Sequence, residues 1–266
     1  MKALGHIIAI VLWTLVSQVG GIVWLINYGY FRWPKRGVSR TRQFCVFLLL
    51  YLLATFLIVP PLARLGGRVP LPITKSKNLR PHNYITPLLN RHYVKPQLRQ
   101  QLIGIAQEIN ANNPAHKVSY LDANFPFVDG FPLLPHLSHN DGRKVDLSFY
   151  YTKDKKKGNL KPARSGYGQF VEPKPTEFNQ TADCLSRGYG PYAYTKHLTL
   201  GSRDDLEFDA ASTKQLVNLI IQEPLTQKLL IEPHLKHRLQ LTHPKVRFQG
   251  CHAVRHDDHI HYQIVR

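Results

Sequence analysis

Two long uncharged runs stand at the start of the chain. Residues 3–31 contain no Lys, Arg, Asp or Glu, and neither do residues 43–63, "QFCVFLLLYLLATFLIVPPLA". A helix of about 20 apolar residues crosses a hydrocarbon core of about 30 Å, so each run is long enough. Trp24, Tyr28, Tyr30 and Trp33 gather at one end of the first run, where amphipathic rings favour the membrane interface. That run exceeds the apolar stretch of a signal peptide, and no small-x-small cleavage site follows it. The expectation is two transmembrane helices within residues 1–63, with Gln18, Gly20 and Gly21 marking the face packed on the second helix. Arg32, Lys35, Arg36, Arg40 and Arg42 lie between the runs, against Lys2 alone before the first. The positive-inside rule puts that loop in the cytoplasm and both termini outside. Arg64, Arg68, Lys75, Lys77 and Arg80 follow the second run, but long domains translocate largely regardless of charge. The expected location is the inner (cytoplasmic) membrane, multi-pass, with the C-terminal domain on its periplasmic or extracellular side.

Residues 64–95 carry Pro70, Pro72, Pro81 and Pro87 and few apolar runs, the composition of an extended tether. Residues 96–266 read as globular and are enough for one core. Leu98, Leu102, Ile105 and Ile109 recur at helical spacing after Pro96. A second helix is expected over 211–222, before Pro224, and a short one over 234–241. Strands are expected at 117–122, 144–151, 228–233 and 259–266, and residues 153–180, rich in Lys, Gly and Pro, as a long mobile loop. The fold class is α+β: two membrane helices, then a small antiparallel sheet flanked by helices. Cys184 and Cys251 are free to pair in an oxidising compartment or to stand as two buried thiols.

Two histidine-rich stretches carry the chemistry: "HLSHNDGRKVD" (136–146) and "HDDHIHYQ" (256–263). In "KVDLSFYY", Asp146 falls on the strand face opposite Val145, Leu147 and Phe149. In "HIHYQIVR", His259 and His261 share one face, about 7 Å apart along the strand. The Asn140-Asp141-Gly142 turn can fold His139 back over Asp146, and His261 would complete a two-histidine, one-carboxylate set of the kind zinc takes. His259 is then left to act on substrate. With 14 histidines in the chain, either stretch alone would be unremarkable; the combination is more specific.

H-x6-D followed much later by H-x-H resembles the ligand pattern of the lysostaphin, D-alanyl-D-alanine metallopeptidase and hedgehog superfamily. "HLSHNDGRKVD", "LLIEPHLKHRL" and "VRHDDHIHYQI" are most similar to the penicillin-insensitive murein endopeptidases, over residues 117–266. The resemblance implies one zinc ion held by His139, Asp146 and His261. His136 is an added ligand, a group behind the ligands, or a surface histidine. It also implies that His259 stands beside a zinc-bound water, and that His256 occupies the place where the dipeptidase branch has a glutamate base. Asp257 or Asp258 orients one imidazole, or both are solvated loop charges. Arg143 and Arg255 are candidates for polarising substrate by sequence proximity.

The implied activity is zinc-dependent hydrolysis of peptide cross-links in peptidoglycan, of the murein endopeptidase or D-Ala-D-Ala carboxypeptidase type. The alternative is a non-catalytic zinc-containing binding or signalling module on the same fold. The expected partners are peptidoglycan peptides, rich in carboxylates that suit a net charge of +18, and the bilayer through two helices. Nucleic acid is disfavoured, because the basic residues are dispersed and no recognition motif occurs.

Overall fold

The first uncharged run folds back on itself at Gln18, which takes a φ of 65°. The computed structural model describes residues 2–32 and 39–266. In it, helix α1 (Lys2–Ser17) and helix α2 (Gly20–Arg32) form an antiparallel hairpin, with the His6 ring 4.2 Å from Tyr28. The turn needs glycine: a Cβ on Gly21 would stand 1.9 Å from Thr14 Oγ1, while Gly20 N donates to Ser17 Oγ at 3.0 Å. This corrects the expectation of two membrane-crossing helices. At 16 and 13 residues, each arm falls short of the roughly 20 that a crossing takes. Gln18, Gly20 and Gly21 make the turn between the arms, not a packing face of one long helix.

Among the described residues one helix is long and apolar enough to cross a membrane, α3 (Arg40–Leu65, 26 residues). It holds a π-helical stretch at Ala54–Ile58, immediately before Pro60 and Pro61. Prolines lack the N–H that an α-turn would use, and widening the ladder accommodates that loss. Trp13 and Trp24 both pack on Phe47, with ring centroids 5.0 Å away. Of the loop expected in the cytoplasm, Trp33, Lys35 and Arg36 lie outside the described residues.

The chain divides into two compact units. The first comprises residues 1–71, 85–96 and 122–142. Beside the hairpin and α3 it has strands β1 (Val69–Pro70) and β3 (Tyr93–Val94), paired antiparallel, and the short helix Ile85–Leu88. Arg68 is buried. It pairs with Asp129 and donates to the Phe125 and Asn140 carbonyls, tying the 122–142 segment down. Tyr51 Oη, on α3, donates to the Leu88 carbonyl at 2.9 Å.

The second unit, residues 72–84, 97–121 and 143–266, is α+β, as expected. Its strands are β2 (Leu79–Pro81), β4 (Val118–Tyr120), β5 (Lys144–Ser148), β9 (Thr226–Leu230), β10 (Val246–Arg247) and β11 (His259–Ile264). They form one sheet in the order β10-β9-β11-β5-β4-β2. The four central strands run antiparallel and the pair at each edge is parallel. Leu98, Leu102, Ile105 and Ile109 of the helix Pro96–Asn112 are buried. So are Leu216, Val217 and Ile220 of the helix Ala210–Gln222, which Asp209 caps by accepting from Ser212 N at 3.0 Å. The stretch expected as a mobile loop starts with a hairpin, β6 (Tyr151–Lys153) and β7 (Lys156–Gly158), joined by β8 (Glu207–Phe208). Cys184 and Cys251 are bonded to each other; this closes the alternative of two free thiols. The interval 64–95, read as a tether, contributes β1, β2, β3 and the helix Ile85–Leu88 to the two units.

Candidate metal centre

Strands β5 and β11 lie side by side with His261 opposite Asp146 and His259 opposite Ser148. Residues opposed across an antiparallel pair point to the same face, so the alternation read from each strand puts Asp146, His259 and His261 together. His261 Nδ1 is 3.0 Å from Asp146 Oδ1, and His259 Nε2 is 3.6 Å from Asp146 Oδ2. His256 joins them from the segment entering β11, its ring 5.0 Å from His259 and 5.8 Å from His261. All four side chains are buried. Hydrophobic residues on the other face of β5 and β11, among them Val145, Leu147, Ile260 and Tyr262, are buried too, so both faces of this strand pair are covered.

The first histidine stretch is also buried. His139 Nδ1 donates to the Ala123 carbonyl at 2.7 Å. A carbonyl only accepts, so the neutral ring carries its proton on Nδ1 and presents Nε2 as a ligand nitrogen, the arrangement that metal-binding histidines use. His136 is no surface residue: its ring stands 5.5 Å from His139 and its Nδ1 3.3 Å from Asp122 Oδ2. Asp122 in turn receives Arg91 at 2.6 Å. His136, His139 and Asp146 are all buried and are of types that could hold a metal ion. Two imidazoles and a carboxylate suit a borderline cation such as zinc. Asp183, Cys184 and Cys251 also cluster, but the disulfide removes both thiolates as ligands.

Around the histidines the structure assigns several partners. Asp258 Oδ1 pairs with His259 Nδ1, and its Oδ2 accepts from Gly168 N at 2.6 Å. Asp258, not Asp257, therefore orients the H-x-H histidine. Asp257 instead takes the Arg255 guanidinium in two hydrogen bonds, 2.9 and 2.5 Å. Arg255 also reaches Glu172 at 2.9 Å and stacks 3.7 Å over Phe170. It is buried and fully engaged, so it is a brace of the loop and not a group for polarising substrate. Arg143 is half-buried at the start of β5.

Two residues that sequence reasoning missed belong to the centre. Tyr167 Oη donates to Asp146 Oδ2 at 2.9 Å, and its ring lies edge-on to His259 at 5.1 Å. Glu232 accepts from His256 N at 3.0 Å and from Tyr192 Oη at 2.6 Å, fixing the backbone of His256. Tyr167 lies in the Lys-, Gly- and Pro-rich stretch, where no periodicity singles it out. Gly166 explains how the loop gets so close: its φ is +95°, and a Cβ there would sit 2.0 Å from Leu121 Cδ2.

The charges are concentrated. Burial by itself lowers the pKa of His259, but Asp146, Asp258 and Asp257 outweigh it and hold the imidazole up at about 9. Burial likewise pushes Glu232 above the usual carboxylate range. A dication bound beside Asp146 would reverse the local balance that favours the imidazolium.

No family model matches the chain, and no curated protein matches it.

Proposed function

We propose that the chain is a membrane-anchored zinc peptidase that hydrolyses peptide cross-links of peptidoglycan. The observation that carries this reading is the meeting of Asp146 and His261 on adjacent strands, 3.0 Å apart, with His256 and His259 beside them. His136 and His139 are buried as well. The order of these residues along the chain resembles that of the murein endopeptidases. In this reading His139, Asp146 and His261 would hold a zinc ion, which would supply electrophilic polarisation of a carbonyl and activation of water at neutral pH. His136, 3.3 Å from Asp122, is a further candidate ligand.

The chain's own residues do the rest. Asp146 is positioned by Tyr167, and as a ligand it would act in its carboxylate form. His259, oriented by Asp258 at one nitrogen, turns the other toward the Asp146 carboxylate and is placed to take and return the proton of an attacking water. His256, with its backbone held by Glu232, is placed to donate to the oxyanion. Burial of every one of these groups strengthens their electrostatic action.

The anchor is α3, crossing once, with the α1–α2 hairpin packed along it. The hairpin brings Lys2 back to the side of Arg32, so in this reading both ends of the hairpin face the cytoplasm and everything after Leu65 lies outside. The Cys184–Cys251 disulfide supports this side, because cytosolic thiols are kept reduced.

Digestion of purified peptidoglycan by the full chain in detergent, read by mass spectrometry, tests the reading. New muropeptide ends that vanish on chelation are expected. If the chain holds zinc yet releases no fragment, the non-catalytic module is the better account.

A further inference from the structure

A cavity of about 530 Å³ opens in the second unit between the β2 end and the loop that follows β7. Its lining includes Lys161, Arg164 and Arg203, and no Asp or Glu. Arg203 is neutralised by Asp205, at 2.8 and 3.1 Å. Lys161 and Arg164 have no carboxylate in ion-pair reach among the described residues. Lys161 is half-buried, and burial together with the charge of Arg80 lowers its pKa. Its ammonium is nevertheless fixed in place, donating to the His82 carbonyl. Lys161, half-buried, and Arg164, exposed, repel each other modestly across the cavity, and an anion from outside offsets that repulsion.

The cavity is joined to the metal centre by a very short piece of chain. Arg164 lines the cavity and Tyr167, three residues on, donates to Asp146. Three residues span at most about 11 Å. The backbone at the Arg164 end is held down: His82 Nε2 lies 2.8 Å from the Ala163 carbonyl, and Asn83 donates to the Arg164 and Ser165 carbonyls at 3.3 and 3.0 Å.

We propose that this cavity is a carboxylate-binding subsite, in which Lys161 and Arg164 hold a free carboxylate of a peptide whose backbone reaches the Asp146–His261 centre. The proposal rests on the peptidase reading for its ligand class but not on turnover. The guanidinium fork takes two carboxylate oxygens at once and Lys161 adds a point charge.

The test is calorimetry on the full chain in detergent with a chelator present, so that nothing is cleaved. The probes are an N-acetylated muropeptide tetrapeptide with free carboxylates and the same peptide with its carboxylates converted to amides. The acid should bind and the amide should bind roughly 10–100-fold more weakly, the range for a lost hydrogen bond to a charged group. Lys161→Met and Arg164→Gln should each weaken the acid by a similar factor and leave the amide as it was. Equal binding of acid and amide to the native chain overturns the subsite, as does inorganic phosphate competing at concentrations well below the peptide's. Carboxylate-dependent binding by a chain that digests no peptidoglycan would retain the subsite and remove the peptidase reading.

Discussion

Asp146 is the residue on which the centre turns. Its two oxygens face His261, His259 and the Tyr167 hydroxyl. Asp146→Ala, His139→Ala and His261→Ala should therefore each strip the metal, because a three-ligand site rarely survives on two; elemental analysis of the purified variants checks this. One zinc per chain retained in all three would refute the ligand set. His259→Ala should keep its metal while turnover on cross-linked muropeptides drops about 10²–10⁴-fold, the usual loss of general acid–base help. Asp258→Asn removes the charge that orients His259 and should cost about 10–100-fold. Cleavage by either variant at the native rate, with metal bound, would make His259 a structural histidine.

At the scale of elements, the centre depends on what holds the loops against β5 and β11. Gly166 has a backbone that L side chains rarely adopt and no space for a Cβ. Gly166→Ala should cost about 1–3 kcal/mol and displace Tyr167, visible as a lowered denaturation midpoint together with weaker metal binding. The disulfide closes a loop of 67 residues, which in the chain-entropy account is worth about 4 kcal/mol. Cys184→Ser should approach that loss in chemical denaturation, and reductant should no longer affect the variant. Much of this scale was legible in sequence. The helices of the second unit follow their apolar spacing and caps, and β5 and β11 follow their alternation. The helix Gln180–Ser186 and the loop carrying Tyr167 escaped notice because neither has a periodic apolar face, and long-range contacts hold them.

For the whole molecule, the question is how often the proposed anchor crosses a bilayer. An uncharged run of 29 residues satisfies the length rule for a span, yet Gln18 turns it into a hairpin whose ends lie together. A reporter at the N-terminus should therefore read cytoplasmic and one at the C-terminus external. An external N-terminus would restore two crossings, whereas a cytoplasmic C-terminus would remove the cell-wall reading altogether. Replacing Gly21 by Leu should open the hairpin, since even a Cβ there collides with Thr14; altered protease accessibility of the N-terminus in membrane vesicles would report it.

Alternation alone determined which face of each strand carries Asp146, His259 and His261, since the side-chain period of a strand is two wherever the strand lies. Hydropathy alone marked residues 43–63 as an apolar helix, which in the structure spans Arg40–Leu65. The register that sets His261 opposite Asp146, the choice of Asp258 over Asp257 as the partner of His259, and the recruitment of Arg255 into a buried brace were decided by the tertiary structure. So was the folding of residues 3–31 into two short helices. Each of these depends on which groups distant in sequence arrive within hydrogen-bonding or contact distance, and local propensity carries no information about that distance.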